Sequence, residues 1–258
     1  MWTDPELYDL ENADDPAFDV PFWSSVVHAR APRRVLELAC GTGRLTLALA
    51  RLGVAEEVVG VDASAPFLAR ARERLADEPA EVRGAVRLAE GDMRAPGVDG
   101  PFELVLVPFN SLAYLATRAD RLQALAAIRS LLAPGGRFGF DLLQPRYDFL
   151  AEASLPCPPL RVDADHPAPE AGVSRFLRSY TDTYDPASQT LRSTNRYEVF
   201  YDDGRVEHRI TDLDWHIYFP DELELLLSAA GLAVEERYGS YERAPWSSAS
   251  RRYLWVAR

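Results

Sequence analysis

Short apolar runs alternate with amphipathic stretches of helix length between residues 34 and 141, and this alternation restricts the fold more than any other feature. The strand candidates are residues 35–38, 58–61, 86–88, 102–107 and 137–142. The helix candidates between them are residues 43–52, 65–75 and 118–132. Parallel strands buried on both faces carry few polar residues and are joined by helical crossovers. The pattern therefore predicts an α/β domain built on a parallel sheet with helices on both faces.

A β-rich segment interrupts this pattern. Residues 144–171 contain six prolines, which predicts an irregular connection. Three runs rich in aromatic and β-branched residues follow, at 174–184, 190–201 and 206–218, and Asp202-Asp203-Gly204 is typical of a hairpin turn. The α/β pattern then resumes with a helix at 220–230 and strands at 233–238 and 252–257. We therefore expect one domain of residues 1–142 and 220–258, interrupted by an antiparallel β meander within residues 143–219 that forms a substrate lid.

The composition excludes several classes of protein. The 258 residues include 40 acidic and 28 basic side chains, and the net charge of −12 disfavours a nucleic-acid partner, because phosphate binding requires a basic surface. No stretch approaches 18 uninterrupted apolar residues, and the acidic first 22 residues do not resemble a signal peptide. Cys40 and Cys157 are too few for a disulfide scaffold and lack the spacing of metal ligands. We expect a cytoplasmic protein, monomeric or homodimeric, with no metal and no membrane partner.

Glycine or acidic residues follow the first three strand candidates. Gly41 and Gly43 would let the chain turn sharply and let a ligand approach the N–H groups of the next helix. Asp62 ends the second strand, where a carboxylate can accept both hydroxyls of a ribose; capping the next helix is its alternative role. Asp92 and Met93 follow the third strand, where a carboxylate and a backbone N–H can bind adenine. A plain turn would explain the glycines alone, but the three positions together predict a ligand at this edge of the sheet.

These runs resemble the motifs of the class I S-adenosylmethionine-dependent methyltransferases. Residues 35–44, VLELACGTGR, are similar to the cofactor loop of that family, and residues 59–64, VGVDAS, to its ribose motif. Residues 90–94, EGDMR, are similar to its adenine motif, and residues 131–136, LLAPGG, to the turn before its fifth strand. The resemblance implies a Rossmann-like seven-stranded methyltransferase sheet whose last strand, at 252–257, is antiparallel and lies beside the fifth. Ala39 departs from the family pattern, in which many members have glycine, although a small residue still fits the loop.

The resemblance also implies S-adenosyl-L-methionine as the cofactor. The residues expected to bind it are Tyr8, Glu37, Ala39, Gly41, Gly43, Asp62, Ala63, Asp92, Met93 and Pro108. Tyr8 is among them because its segment resembles the N-terminal cap of small-molecule members, where a Tyr closes over the methionine part of the cofactor. A packing role is the alternative for Tyr8.

The methyl acceptor is expected beyond the fourth strand, at Phe109, Asn110 and Tyr114. The rings of Phe109 and Tyr114 are suited to face a sulfonium charge, because cations are attracted to ring faces, and Tyr114 is assigned a catalytic role. Packing beneath the following helix is the alternative for both rings.

The inserted meander adds three candidate residues that would lie over this pocket. His216 is the candidate proton acceptor near neutral pH, and a packing role on its strand is the alternative. Arg196 and Arg209 can hold a substrate carboxylate through forked hydrogen bonds. The two arginines can equally pair with Glu198 and Glu207.

The predicted function is methyl transfer from S-adenosylmethionine to a nitrogen or oxygen of a small polar molecule. The arrangement resembles the N-methyltransferases that act on aminosugars and glycine. Two alternatives stay open: a cofactor user of other chemistry, such as aminopropyl transfer or cyclisation, and a protein that binds the cofactor without catalysis.

Overall fold

Two separate β-sheets organise the chain, one of seven strands and one of four. The computed structural model describes residues 4–11, 19–166 and 172–258. The helices are α1 (Pro5–Glu11), α2 (Asp19–Arg30), α3 (Arg44–Arg51), α4 (Ala65–Ala76), α5 (Ala80–Ala85), α6 (Arg118–Leu131), α7 (Tyr147–Ala153) and α8 (Pro220–Ala229). The strands are β1 (Arg34–Leu38), β2 (Glu57–Asp62), β3 (Val86–Glu90), β4 (Phe102–Val107), β5 (Leu132–Leu143), β6 (Arg161–His166), β7 (Val173–Asp185), β8 (Thr190–Tyr201), β9 (Val206–His216), β10 (Val234–Tyr238) and β11 (Arg252–Ala257).

The seven-stranded sheet has the strand order β10-β11-β5-β4-β1-β2-β3. β1 lies between β2 and β4, with Leu36 opposite Val59 and Val105, and all of these pairings are parallel. β11 runs antiparallel to β5, and its residue Leu254 lies opposite Asp141. The predicted Rossmann-like sheet with a reversed last strand beside the fifth is therefore confirmed. Because β1 to β5 are parallel, their carboxyl ends share one edge of the sheet.

Helix α2 covers one face of this sheet and was not predicted. Its buried residues Phe22, Trp23, Val26 and Val27 repeat at intervals of one, three and four, and they pack with residues of β1, α3 and β11 in one hydrophobic core. Gly139 of β5 makes room for the helix, because an added Cβ would lie only 2.6 Å from the ring of Trp23. The close contact brings the indole directly against β5.

The four-stranded sheet has the order β6-β7-β8-β9, and each pairing is antiparallel. The three runs predicted for the meander correspond to β7, β8 and β9, and Gly204 forms the predicted hairpin turn with φ of 86°. Helix α1 packs on this sheet through Leu7, which contacts Phe176, Tyr197 and Val199 in a small buried core. Residues 4–11 thus group with residues 145–166 and 172–217, whereas residues 19–144 group with 218–258.

The prediction of an irregular connection over residues 144–171 was wrong in part. This segment contains α7, which buries Leu150 and Ala153, and β6, which pairs with β7 as an edge strand. Pro145 precedes the helix and three further prolines lie between the helix and the strand, so none interrupts an element. Residues 167–171 lie outside the described part of the chain.

Among the described residues, no helix is long and apolar enough to span a membrane.

Candidate functional site

The turn between β1 and α3 contains three residues with left-handed backbone, Ala39 (φ 58°), Gly41 (φ 57°) and Gly43 (φ 79°). A Cβ added at Gly43 would lie 3.2 Å from the Cβ of Ala71, so glycine lets α3 pack closely on α4. At Ala39 the same conformation costs about 1 kcal/mol, because an L side chain crowds its own backbone there. The turn places the first N–H groups of α3 at the carboxyl edge of the sheet, where they can attract a negatively charged or polar ligand group.

Asp62, at the end of β2, connects the turn after β1 with the turn after β2. Its carboxylate accepts backbone N–H groups from Gly41 and from Ser64, both at 2.8 Å. Ser64 occupies the N-cap position of α4, so the alternative role of Asp62 as the cap residue does not apply. Burial raises the pKa of the Asp62 carboxyl, and the N–H donors of Ser64, Gly41 and the exposed Ala63 oppose the rise. Each carboxylate oxygen keeps a lone pair for a further donor.

Asp92, which follows β3, is held by Arg94 in a forked pair. Its oxygens accept Nε at 2.8 Å and an Nη at 2.6 Å, and the second Nη of Arg94 reaches Asp120 at 2.6 Å. This guanidinium lowers the pKa of Asp92, which stays ionised at neutral pH. Met93, the residue between Asp92 and Arg94 in the sequence, is half-buried. Gly91 is required here, since an added Cβ would lie 2.3 Å from the carbonyl oxygen of Pro96.

A buried acidic side chain precedes the glycine turn in the sequence, and an ion pair follows it. Glu37 is 3% exposed and accepts the hydroxyl of Thr46, and burial raises the pKa of its carboxyl to about 8. Arg44, the first residue of α3, forms a forked pair with the buried Asp19 of α2 at 2.6 and 2.8 Å. The guanidinium of Arg44 also lies 5.0 Å from the centre of the Phe109 ring. Glu37 is thus mainly protonated at pH 7. The positive charge of Arg44 is then neutralised by Asp19 alone.

The residues after β4 form a turn that is fastened to β5. Pro108 is buried, and Phe109 and Asn110 both have left-handed backbone, with φ of 55° and 63°. Such a conformation costs roughly 1–3 kcal/mol for each non-glycine residue and is maintained only by specific contacts. Tyr114 is half-buried at the end of the 3₁₀ turn Ser111–Tyr114. The structure thus brings Phe109 close to the glycine turn through Arg44.

The remaining predicted residues belong to the four-stranded unit and are described within it. Tyr8 is a half-buried residue of α1, and His216 is 4% exposed at the end of β9. Arg209 pairs with Glu207 at 2.8 Å, the alternative raised for it from the sequence, and also with Asp4.

Arg196 differs from Arg209 in its surroundings. It is exposed on β8 and forms no ion pair within residues 4–11, 19–166 and 172–258. Glu198, its expected partner, lies 3.3 Å from His208 instead.

The sequence did not predict the roles of Asp19 and Asp141, or the ion pair between Arg44 and Asp19. Asp141 is fully buried in β5 and accepts hydrogen bonds from Trp23 and from the backbone of Phe109. Burial raises the pKa of its carboxyl. An acidic residue inside the apolar run 137–142 is the one sequence signal that would have drawn attention to it.

Residues 35–136 match the model of a family described as a methyltransferase domain. This match covers the glycine turn, Asp62, Asp92 and the strained turn after β4, on a sheet whose last strand is reversed. Residues 35–136 of this chain are therefore a methyltransferase domain. The methyltransferase domain predicted from the motifs is therefore confirmed.

Similar proteins fall into two groups by the extent of the likeness. The chain is 43% identical to a demethylmenaquinone methyltransferase of Thermus thermophilus over 110 residues, which are 42% of this chain and 46% of that protein. The chain spans about half the length of the curated relatives it matches in this way. A cypemycin N-terminal methyltransferase of a Streptomyces species is 29% identical over 252 residues, 97% of this chain and 94% of its own. Among solved structures, the CcbJ methyltransferase of Streptomyces caelestis has a TM-score of 0.74 and 28% identity, covering 100% of this chain and 98% of its own.

Proposed function

We propose that this chain binds S-adenosyl-L-methionine at the carboxyl ends of β1 to β4 and transfers its methyl group to a nitrogen atom of a small polar molecule. The observation that carries the proposal is the placement of Asp62 and Asp92 at the ends of the neighbouring strands β2 and β3, beside the glycine turn that follows β1. A carboxylate in the first position can accept ribose hydroxyls, and one in the second can accept an exocyclic amine.

The residues present fit this cofactor. A Cβ added at Gly41 would have only a ring atom of Phe67 nearby, at 3.7 Å, so the backbone there is open to close approach. Asp62 and Asp92 supply carboxyl acceptors that are already oriented by N–H donors. When bound, the sulfonium group of the cofactor supplies an electrophilic methyl group. The contribution of the protein is then to position the acceptor in line with that methyl and to exclude water.

The extent of the similarities favours nitrogen as the acceptor atom. The likeness to the cypemycin N-terminal methyltransferase extends over 97% of this chain, whereas the likeness to the quinone enzyme covers 42% of it. Similarity confined to the methyltransferase domain is evidence for the cofactor, whereas the rest of the chain determines which acceptor is methylated. The relative that shares the whole chain is therefore the better guide, and its name describes methylation of an amine.

We assign acceptor selection to the predicted lid, residues 143–219. Insertions into a rigid α/β scaffold can vary without disturbing it, which suits them to specificity. Within this segment Arg196 is the better candidate for a substrate carboxylate, because Arg209 is committed to Glu207 and Asp4.

Matched acceptors test the choice of atom. Each pair would differ only at the reacting group: an aminosugar and the corresponding sugar, or a peptide with a free and an acetylated N-terminus. We expect mass spectrometry to show a gain of one or more methyl groups in the amines alone. Methylation confined to hydroxyl or carbon acceptors would refute nitrogen transfer, and aminopropyl transfer from the decarboxylated cofactor would refute methyl transfer.

A pair of arginine variants tests the role of Arg196. Arg192 lies on the same strand and the same face as Arg196 but is paired with Asp214, so Arg192→Ala is the matched control. We expect Arg196→Ala to raise KM at least about tenfold for an acceptor that carries a carboxylate, with unchanged affinity for S-adenosylhomocysteine. An equal change in KM for both variants would remove Arg196 from the acceptor site.

A further inference from the structure

Asp141 is a fully buried carboxylate near the end of β5, and four donors converge on it. One oxygen accepts the backbone N–H of Phe109 at 3.0 Å and the indole N–H of Trp23 at 3.2 Å. The other accepts the hydroxyl of Tyr241 at 3.0 Å and an Nη of Arg252 at 3.4 Å. The donors come from α2, the turn after β4, the segment between β10 and β11, and β11 itself. A buried carboxylate is costly unless it is satisfied in this way, so its presence calls for an explanation.

The turn after β4 depends on β5 for its conformation. Phe109 and Asn110 are consecutive non-glycine residues with left-handed backbone. Three hydrogen bonds connect them to β5: Phe109 N–H to the Asp141 carboxylate, Asn110 N–H to the Asp141 carbonyl at 3.2 Å, and Leu143 N–H to the Asn110 side-chain oxygen at 3.0 Å. Strained backbone of this kind concentrates at functional sites, where surrounding contacts determine it. Asp141 supplies two of the three contacts.

The conformation of this turn sets the position of the Phe109 ring. The ring lies 5.0 Å from the guanidinium of Arg44, which follows Gly43 and is itself fixed by the forked pair with Asp19. The turn after β4 and the glycine turn after β1 are therefore connected through Phe109. Asp141 lies at one end of this connection and the glycine turn at the other.

We propose that Asp141 is a positioning residue for methyl transfer: its carboxylate fixes the Phe109–Asn110 turn and so places Phe109 and Asn110 at the edge where the acceptor is held. This inference rests on the proposed function, because it assigns that edge to the acceptor. Asp141 does not touch the reacting atoms and acts through the backbone of the turn. Its loss should therefore reduce kcat more than it reduces the affinity for the cofactor.

The test compares Asp141→Leu, Asp141→Asn and Tyr241→Phe. Leucine fills the space but accepts no hydrogen bond, asparagine retains an oxygen for the Phe109 N–H, and Tyr241→Phe removes a donor from the other oxygen while leaving the turn alone. The three measurements are hydrogen–deuterium exchange of the peptide containing Phe109 and Asn110, calorimetric affinity and stoichiometry for S-adenosylhomocysteine, and kcat per calorimetric site. Expressing kcat per site removes the contribution of unfolded protein.

In Asp141→Leu we expect exchange in the turn to rise at least about tenfold, kcat to fall at least about tenfold and the cofactor Kd to change less than about threefold. Asp141→Asn and Tyr241→Phe should keep kcat within about threefold of the natural protein. If Asp141→Leu does not fold, Asp141→Ala, which leaves room for water, takes its place with the same expectations.

Two outcomes would overturn the inference: unchanged exchange and kcat in Asp141→Leu, or an equal loss of kcat in Tyr241→Phe at equal stability. Failure of the proposed function looks different, because the natural protein itself would then bind no cofactor or transfer no methyl group. Whether or not the protein transfers a methyl group, the exchange measurement shows whether the Asp141 carboxylate stabilises the Phe109–Asn110 turn.

Discussion

Replacing Asp62 with alanine should separate cofactor binding from folding at the candidate site. The Asp62 side chain accepts two backbone N–H groups at 2.8 Å, from Gly41 and Ser64, and both lose this acceptor in the variant. Hydrogen bonds to charged groups contribute about 1.5–3 kcal/mol each when buried, and Asp62 is only half-buried, so we expect a loss of about 2–3 kcal/mol in unfolding free energy. The ribose hydroxyls of the cofactor lose the same acceptor. We expect a further cost of roughly 1.5–3 kcal/mol in binding, or about tenfold to a hundredfold in Kd.

Calorimetry with S-adenosylhomocysteine, at a temperature where the variant is fully folded by circular dichroism, measures the binding part alone. Urea unfolding measures the stability part. Asp62→Asn should show a smaller loss in both, because it retains one acceptor oxygen. Asp77→Ala, at an exposed residue directly after α4, is a control that should change neither. An unchanged Kd in folded Asp62→Ala would show that the carboxylate only fastens the β1 and β2 turns together, and the cofactor assignment of Asp62 would then be wrong.

Three further variants test the surroundings of the glycine turn. Ala39→Gly should stabilise the protein by about 0.5–1 kcal/mol in urea unfolding, because glycine adopts φ of 58° without strain; a loss of stability would contradict this. The pKa of Glu37 is raised from a usual value of 4.5 to about 8 in the folded protein. Between these two pH values the folded protein keeps a proton on Glu37 that the unfolded chain releases. The Glu37 contribution to stability is therefore fully present below pH 4.5 and is lost as the pH rises to 8, so unfolding free energy should fall more steeply over that window than in Glu37→Gln; parallel profiles would contradict the assignment. Arg44→Met leaves the buried Asp19 unpaired and should cost about 3 kcal/mol in urea unfolding, whereas a cost below about 1 kcal/mol would show that water replaces the guanidinium.

The positions of Asp62 and Asp92 could be predicted because chain order and hydrophobic periodicity determine where each parallel strand ends. Once β1, β2 and β3 are recognised as neighbours in one sheet, the residues that follow them must share an edge. The prediction of the reversed strand β11 rested on the family resemblance. Those features depend on short segments of sequence.

The contacts of Asp141 and Arg44 could not be predicted in the same way. Asp141 meets Trp23 from 118 residues earlier and Phe109 from 32 residues earlier, and Arg44 meets Asp19 across 25 residues. Such pairs depend on how α2 packs on the sheet, which no local pattern determines. Helix α2 itself could not be predicted because its apolar residues are spread around the helix and show almost no amphipathic pattern.

The residues proposed to contact the acceptor were the least determined by sequence. Arg196 and Arg209 look alike in the sequence, each followed or preceded by a glutamate two residues away on a strand. In the structure Arg209 is paired with Glu207 and Asp4, while Arg196 stays exposed. The difference arises in part from Asp4, which lies just before α1 and pairs with Arg209.

The contact between Gly139 and Trp23 restricts how this sequence can drift in evolution. Because a Cβ at position 139 would lie 2.6 Å from the indole ring, any side chain there forces a smaller residue at position 23 or an outward shift of α2. Either change also withdraws the indole N–H from Asp141. Homologous chains should therefore show coupled substitution at positions 23, 139 and 141, although the first of these is separated from the others by more than a hundred residues of sequence.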